Sequence, residues 1–267
     1  MVMFLLKPDG IFQWGYTSIT EEGEASGNTM MDFGILRLEA GKTYECSLPK
    51  ERAFLLLSGN VIFFFNEEKR EAKRNSLFDE GPTCLHVPQK TPVKIEAVSD
   101  SEIAIVRTTN DKTFPSRLYT PYDVEDEYRG QGTMQETSTR IVRTIFDINN
   151  APDAKLVLGE VVNFPGKWSS YPPHHHPQPE IYHYRFLPEQ GFGFAMLGDE
   201  VFKVKNGYTV KILNDLSHPQ VSAPGYAMYY IWAIRHLDDN PYITPVFEPE
   251  HTWVMNKNAP IWTKRGE

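Results

Sequence analysis

Short apolar runs, each stopped by a turn signal, dominate this chain from residue 33 onward and limit what it can fold into. In the first half the runs are 33–38, 53–57, 60–65, 93–97 and 103–107, separated by Ala40-Gly41, Ser58-Gly59 and Glu80-Gly81-Pro82. In the second half they are 140–148, 155–164, 180–186, 191–197, 200–205, 209–213 and 228–234. There the breaks are Pro165-Gly166, Leu197-Gly198-Asp199-Glu200, Asn206-Gly207 and Ala223-Pro224-Gly225. Runs this short, alternating or continuously apolar and bounded by Gly and Pro, read as strands. No stretch of the first half combines a 3.6-residue period with both helix-end signals. Ser58-Gly59-Asn60, between two such runs, predicts a hairpin turn. Aromatics at 13%, with 20 prolines and 18 glycines, fit the same picture of many strands and tight turns. The expectation is an all-β chain of barrel or sandwich type.

Residues 108–139 differ: they are polar, acidic and rich in turn formers, with room for one short helix. A length of 267 residues accommodates two domains of about 100–150 residues each. The expected organisation is therefore an N-terminal unit over 1–110, a connection over 111–139 and a C-terminal unit over 140–267. The Pro- and Trp-rich tail after Pro245 is expected to pack back on the core. The halves also show a weak repeat. Cys84–Val93 precedes a strand in the first half as Ile212–Val221 does in the second, with Thr91-Pro92 in the place before that strand that His218-Pro219 takes.

Several function classes are disfavoured. The formal charge is −8 and no basic stripe stands out, so nucleic acid is not an expected partner. Met1–Pro8 is too short for a signal-peptide core, and no run approaches the ~20 apolar residues of a membrane span. Cys46 and Cys84 lack metal-finger spacing and read as reduced thiols, which suits a cytoplasmic protein.

Chemistry concentrates in one stretch. Seven of the eight histidines lie between 174 and 251. His174-His175-His176-Pro177-Gln178-Pro179-Glu180 contains His-x-His followed after three residues by Glu. On a strand, His174 and His176 share a face and His175 takes the other. Two imidazoles and a carboxylate suit a borderline divalent metal, and His218, in a later loop, is the natural fourth ligand. Zn²⁺, Mn²⁺, Fe²⁺ and Ni²⁺ all suit such a set. If Glu180 points into a barrel, Tyr182 and Tyr184 do so too, while His183 and Arg185 point away. The two tyrosines are then either substrate contacts or aromatic core.

This arrangement resembles the cupin motif pair. The second half resembles more narrowly the 5-deoxy-glucuronate isomerase family of myo-inositol catabolism, relatives of the 4-deoxy-5-ketouronate isomerases. The resemblance rests on Tyr128-Arg129-Gly130-Gln131-Gly132, Gly159-Glu160-Val161-Val162, Pro165-Gly166-Lys167-Trp168-Ser169-Ser170-Tyr171-Pro172-Pro173-His174 and Ile181-Tyr182-His183-Tyr184-Arg185. Gln190-Gly191-Phe192-Gly193, His218-Pro219, Ala223-Pro224-Gly225-Tyr226 with Tyr229-Tyr230, and Pro249-Glu250-His251-Thr252-Trp253 complete it. The chain departs from the family in carrying His175 where Lys is usual, and only Pro177-Gln178-Pro179 where a longer acidic insertion is usual.

The resemblance implies two cupin barrels in one chain, the first without metal ligands. It implies a metal-dependent aldose–ketose isomerase converting 5-deoxy-D-glucuronate to 2-deoxy-5-keto-D-gluconate. One divalent ion, zinc first among the four, would be held by His174, His176, Glu180 and His218. Proton transfer would fall to Glu180, His251, Tyr182 or Tyr184. The sugar-acid carboxylate calls for a cation, with Arg185, Lys167 and Arg143 as candidates and Arg129 also available. Alternatives are another sugar-acid isomerase, a metal-dependent cupin dioxygenase, or a non-catalytic sugar-acid-binding bicupin. A homo-oligomer is expected, since barrels often pack through exposed sheet faces.

Overall fold

A computed structural model describes residues 3–8, 10 and 12–264. Met1 and Val2 of the Met1–Pro8 run, together with Asp9, Ile11 and residues 265–267, lie outside the described residues. The described chain is strand and loop with two short 3₁₀ segments, Met134–Glu136 and Pro249–Met255. The all-β expectation holds. Among the described residues no helix is long and apolar enough to cross a membrane.

Each half builds the same pair of antiparallel sheets. The larger sheet of the first half runs, in spatial order, Arg117–Tyr119, Cys84–Val87, Glu51–Phe65, Ser101–Thr108, Asp32–Leu38 and Gly15–Thr20. That of the second runs Leu5–Leu6, Thr209–Ile212, Glu180–Leu187, Ala227–Arg235, Leu156–Asn163, Arg140–Phe146 and Glu127–Arg129. With the edge strands set aside, the two orders match strand for strand. The smaller sheets match as well. Thr43–Cys46, Val93–Ala97, the far end of Glu51–Phe65 and Glu68–Arg74 correspond to Trp168–Ser169, Gln220–Ser222, Phe192–Leu197 and Glu200–Lys205. The weak repeat in the sequence is a repeat of topology. The 111–139 connection serves both halves, giving Arg117–Tyr119 to the first sheet and Glu127–Arg129 to the second. Leu5–Leu6 crosses over to edge the second sheet against Thr209 and Val210.

Two local expectations are corrected. Ser58-Gly59-Asn60 is not a hairpin turn: Glu51–Phe65 is a single strand of 15 residues. It passes from the larger to the smaller sheet with a register shift between Leu56 and Ser58. Gly59 there has φ +99°, and a Cβ on it would fall 2.5 Å from the Asp100 carbonyl oxygen. The glycine serves a close approach of two strands, not a reversal. The short helix of the connection is one turn at Met134–Glu136 whose three residues all have positive φ, a left-handed bend.

The central strands of the larger sheets are buried on both faces, which explains their near-continuous apolar text. Leu36, Phe54, Leu56, Phe63, Ile95, Ile103 and Ile105 fill the first barrel. Their strand neighbours Phe33, Ile35, Ala53, Leu55, Ala104 and Val106 face outward and meet Ile141, Ile145, Leu156, Leu158, Ile181, Tyr229 and Ile231 of the second half in a shared core. The interior of the second barrel holds Val161, Tyr182, Tyr184, Phe186, Val210, Met228 and Tyr230. Full burial of one such side chain stabilises by about 1.5–3 kcal/mol, so the contact between halves is a core in its own right. It also encloses charge. Glu160, inaccessible to solvent, accepts hydrogen bonds from Arg74 (2.7 and 3.0 Å), Arg143 (3.0 Å) and the Tyr229 hydroxyl (2.8 Å). Cys46 and Cys84 are free and buried, in different clusters.

Candidate metal centre

Three segments converge at one end of the second barrel. His174–His175 is a two-residue strand held against Val246–Phe247 of the returning tail. Glu180 opens its strand between Thr209–Ile212 and Ala227–Arg235, opposite Ile212 and Ile234. His218 sits in the loop that leaves Thr209–Ile212, and its backbone N–H donates to the His174 carbonyl at 3.2 Å. The structure thus brings His176, Glu180 and His218 together, all buried, with ligand atoms within 4.8 Å of one another. The His174 ring stands perpendicular to that of His218, centroids 4.9 Å apart.

The imidazoles are fixed in one tautomer by the backbone. Nδ1 of His174 donates to Pro172 O (3.1 Å), that of His176 to Gln178 O (3.0 Å) and that of His218 to Leu216 O (2.9 Å). A carbonyl oxygen only accepts, so Nδ1 carries the proton and the Nε2 lone pair of each neutral ring is left for another partner. Burial drives His174 down to about 2, with the neighbouring His218 adding to the effect, and lowers His218 as well.

Nε2 of His176 lies 3.2 Å, and Nε2 of His218 3.4 Å, from the same oxygen, Glu180 Oε2. His218 Nε2 has no hydrogen-bond partner although it is buried. Lone pairs facing a carboxylate oxygen repel unless a cation stands among them. Ligand atoms about 2.1 Å from one ion are separated by roughly 3.0–3.4 Å. The donor set, its tautomers and its spacing fit a divalent metal.

A cavity opens beside the cluster, lined by Arg129, Arg140, Ser170, Tyr182, Tyr230, Trp232 and Tyr242 as well as the histidines and Glu180. The Trp232 indole lies across Gly159, where a Cβ would be 2.3 Å from the ring, so glycine is required for that wall. Tyr230 pairs its hydroxyl with Ser169 (2.6 Å) and Tyr182 with Ser170 (3.1 Å). Burial raises both phenols above the usual range.

This geometry agrees with what the chain is similar to. The model of the KduI/IolB family matches residues 5–254. The chain belongs to the KduI/IolB family. It is accordingly an enzyme, of the isomerase class. A relative named 5-deoxy-glucuronate isomerase, from Geobacillus thermodenitrificans, is 30% identical over 253 residues, 87% of this chain and 89% of the relative. The crystal structure of an IolB-like protein from Salmonella typhimurium LT2 superposes with a TM-score of 0.85 at 24% identity, covering 96% of this chain and all of that one. A cupin 2 conserved barrel domain protein from Leptotrichia buccalis gives 0.52 at 13% identity, over 84% of this chain and 92% of its own. The fold is the cupin fold.

Other residues singled out in this family member lie elsewhere. His175 points away from the cluster to Asp215 (2.7 Å). His251 sits in the tail 3₁₀ segment, its side chain 43% exposed and 3.3 Å from Glu250, outside the cavity. Tyr184 is one layer beneath Tyr182, fully buried, and donates to Gln220 Oε1 (2.7 Å). The cations expected for a carboxylate are also displaced. Arg185 faces the first barrel, bound to Glu102 (2.6 Å) with His183 beside it. Its odd phase relative to Glu180 forces this. Arg143 is held by Glu160 and Asp126 in the core between the halves. Lys167 lies over the Phe164 ring and does not line the cavity. Sequence reasoning gave no site role to Arg140, Tyr230, Trp232 and Tyr242, although Tyr230 belongs to the family resemblance. Arg140 had a signal: it shares parity with Val142, an interior residue, whereas Arg143 does not. Tyr242, in the loop before the tail, had none.

Proposed function

We propose that this chain is a metal-dependent aldose–ketose isomerase acting on 5-deoxy-D-glucuronate and yielding 2-deoxy-5-keto-D-gluconate, as expected from the family resemblance. The observation that carries the reading is the set of Nε2 lone pairs converging on Glu180 beside a polar cavity. His174, His176, Glu180 and His218 would hold the ion, zinc first, with manganese, iron and nickel as the other candidates. A divalent cation there supplies Lewis-acid polarisation of the aldehyde and its neighbouring hydroxyl.

The remaining chemistry belongs to the chain. Isomerisation moves one proton from C2 to C1 and one from the C2 hydroxyl to the C1 oxygen, with no net gain or loss. Glu180 is the one carboxylate lining the cavity. Its Oε1 accepts no hydrogen bond from a described residue, so Oε1 is the proposed carrier of the carbon-bound proton. The Tyr182 hydroxyl, protonated at any physiological pH and hydrogen-bonded to Ser170, is placed to pass the oxygen-bound proton. Trp232 and Tyr242 wall the cavity against bulk water. A cytoplasmic setting fits the buried free thiols, and a homo-oligomer belongs to the same proposal, to be read by sedimentation.

Metal analysis of purified protein, followed by turnover of 5-deoxy-D-glucuronate in deuterated water, tests the reading. The expected result is ketose formation that disappears on chelation and returns with added metal. Undiminished ketose formation by metal-free protein would overturn it.

A further inference from the structure

Arg140 is a buried cation with no anion. It is 8% exposed, yet its guanidinium donates only to Ser138 O (2.8 Å), Ser138 Oγ (3.0 Å) and, more weakly, Tyr171 O (3.4 Å). Among the described residues no carboxylate pairs with it. The other deeply buried arginines differ. Arg74 and Arg143 share Glu160, Arg185 has Glu102 and Arg235 has Asp238, and Arg52 is ringed by four carbonyls. Arg107, also without a carboxylate, lies over the Tyr16 ring and donates to the Tyr44 hydroxyl, away from the cavity of the metal centre. Arginine is rarely buried without a counter-charge, because removing its charge from water is costly.

A second observation points the same way. Arg129 lies directly opposite Arg140 in the antiparallel pair of Glu127–Arg129 with Arg140–Phe146, and both line the cavity of the metal centre. Like charges in directly opposed positions destabilise a sheet. Arg129 has Glu127 beside it at 2.9 Å, but that pair is half-exposed and leaves the inner cation unmatched. The positive wall of the cavity thus stands beside the histidine cluster.

We infer that Arg140 is the carboxylate anchor of this site, binding the acid end of an open-chain sugar acid while its carbonyl end lies at the His176–Glu180–His218 cluster. A planar guanidinium in a dry cavity offers two parallel donors to a carboxylate, a match that lysine and neutral side chains lack. Arg129, at the rim, adds long-range attraction. The site therefore selects uronate-type acids over the corresponding neutral sugars. The inference rests on the proposed reading of the cavity as a sugar-acid site.

Two measurements test it. In turnover, wild type is expected to favour 5-deoxy-D-glucuronate over its uncharged carboxamide, and Arg140→Gln should lose roughly 10- to 100-fold in kcat/KM on the acid and distinctly less on the amide. Metal content should stay at the wild-type level. In binding, calorimetry with D-glucuronate and D-glucose should show a preference for the acid that collapses in Arg140→Gln. The binding arm does not need turnover. If wild type fails to isomerise the acid, the proposed reaction is wrong, and the calorimetry still decides the role of Arg140. Equal loss on acid and amide, or an acid preference that survives in Arg140→Gln, overturns the inference. Should Arg140→Gln not fold, Arg140→Lys keeps the charge without the fork. It must reduce the acid-to-amide ratio, and an unchanged ratio overturns the inference as well.

Discussion

The two barrels place opposite chemistry at the same point of the same topology. Glu180 pairs with Ile212, the last residue of the strand before the His218 loop; Arg52 pairs with Val87, the last residue of the strand before the Thr91 loop. In the second barrel that point carries a carboxylate met by imidazoles. In the first it carries a guanidinium that donates to the carbonyls of Lys50 (3.0 Å), Cys46 (3.0 Å), Pro88 (3.0 Å) and Thr91 (2.7 Å). Arg52 closes the end of its barrel and repels any cation. Behind it the interior is aliphatic and Phe-rich, whereas behind Glu180 lie Tyr182, Tyr184 and Tyr230 with their hydroxyl partners. One architecture is thus a packed core in one copy and a polar cavity beside a histidine–carboxylate cluster in the other, and the difference lies in a few residues at the loop end.

The comparison breaks most severely at the His176–Glu180–His218 cluster. Glu180→Gln is expected to lower kcat/KM by about 10³-fold and to empty the site, read by steady-state kinetics and metal analysis. Arg52→Glu should give the first barrel no bound metal, because carbonyls and not imidazoles surround it; metal stoichiometry above that of wild type would refute the account. Next is the buried charge between the halves. Glu160→Gln strands Arg74 and leaves Arg143 with Asp126 alone, and should destabilise by about 3–5 kcal/mol in denaturant unfolding. Arg52→Met leaves buried carbonyls unpaired and should destabilise by about 3 kcal/mol with metal content unchanged.

Acid sharpens the same division. His183 and His236 are held neutral, both with depressed pKa values caused first by burial. In the unfolded chain they bind protons below about 6.5. Their contribution is therefore full above pH 6.5 and is lost as pH falls, by about 1.4 kcal/mol per pH unit for the fully buried His183. The unfolding midpoint should fall between pH 6.5 and 5. The smallest effect is expected at His251, where His251→Gln should change kcat/KM by no more than about twofold.

Much of this was legible in the residues. Short runs between Gly and Pro determined an all-β chain, and the spacing of His174, His176 and Glu180 singled out the cluster. Period two then divided the Glu180–Leu187 strand correctly: Tyr182 and Tyr184 point inward, while His183 packs against Phe33 and Arg185 reaches Glu102 of the other half. The Glu68–Arg74 strand was hidden by its charge, since only Ala72 and Arg74 of its seven residues are buried. Ser58-Gly59 misled because a glycine required for close strand approach carries the same letters as one required for a turn.

The sequence by itself determined which side chains alternate and which residue types can bind metal, because these follow from local backbone geometry and intrinsic chemistry. Only the tertiary structure decided which cation meets the cavity. Arg140, Arg143 and Arg185 are alike as letters. Their partners come from strands and loops far apart in the chain, which gave Arg143 and Arg185 carboxylates between the barrels and left Arg140 with none.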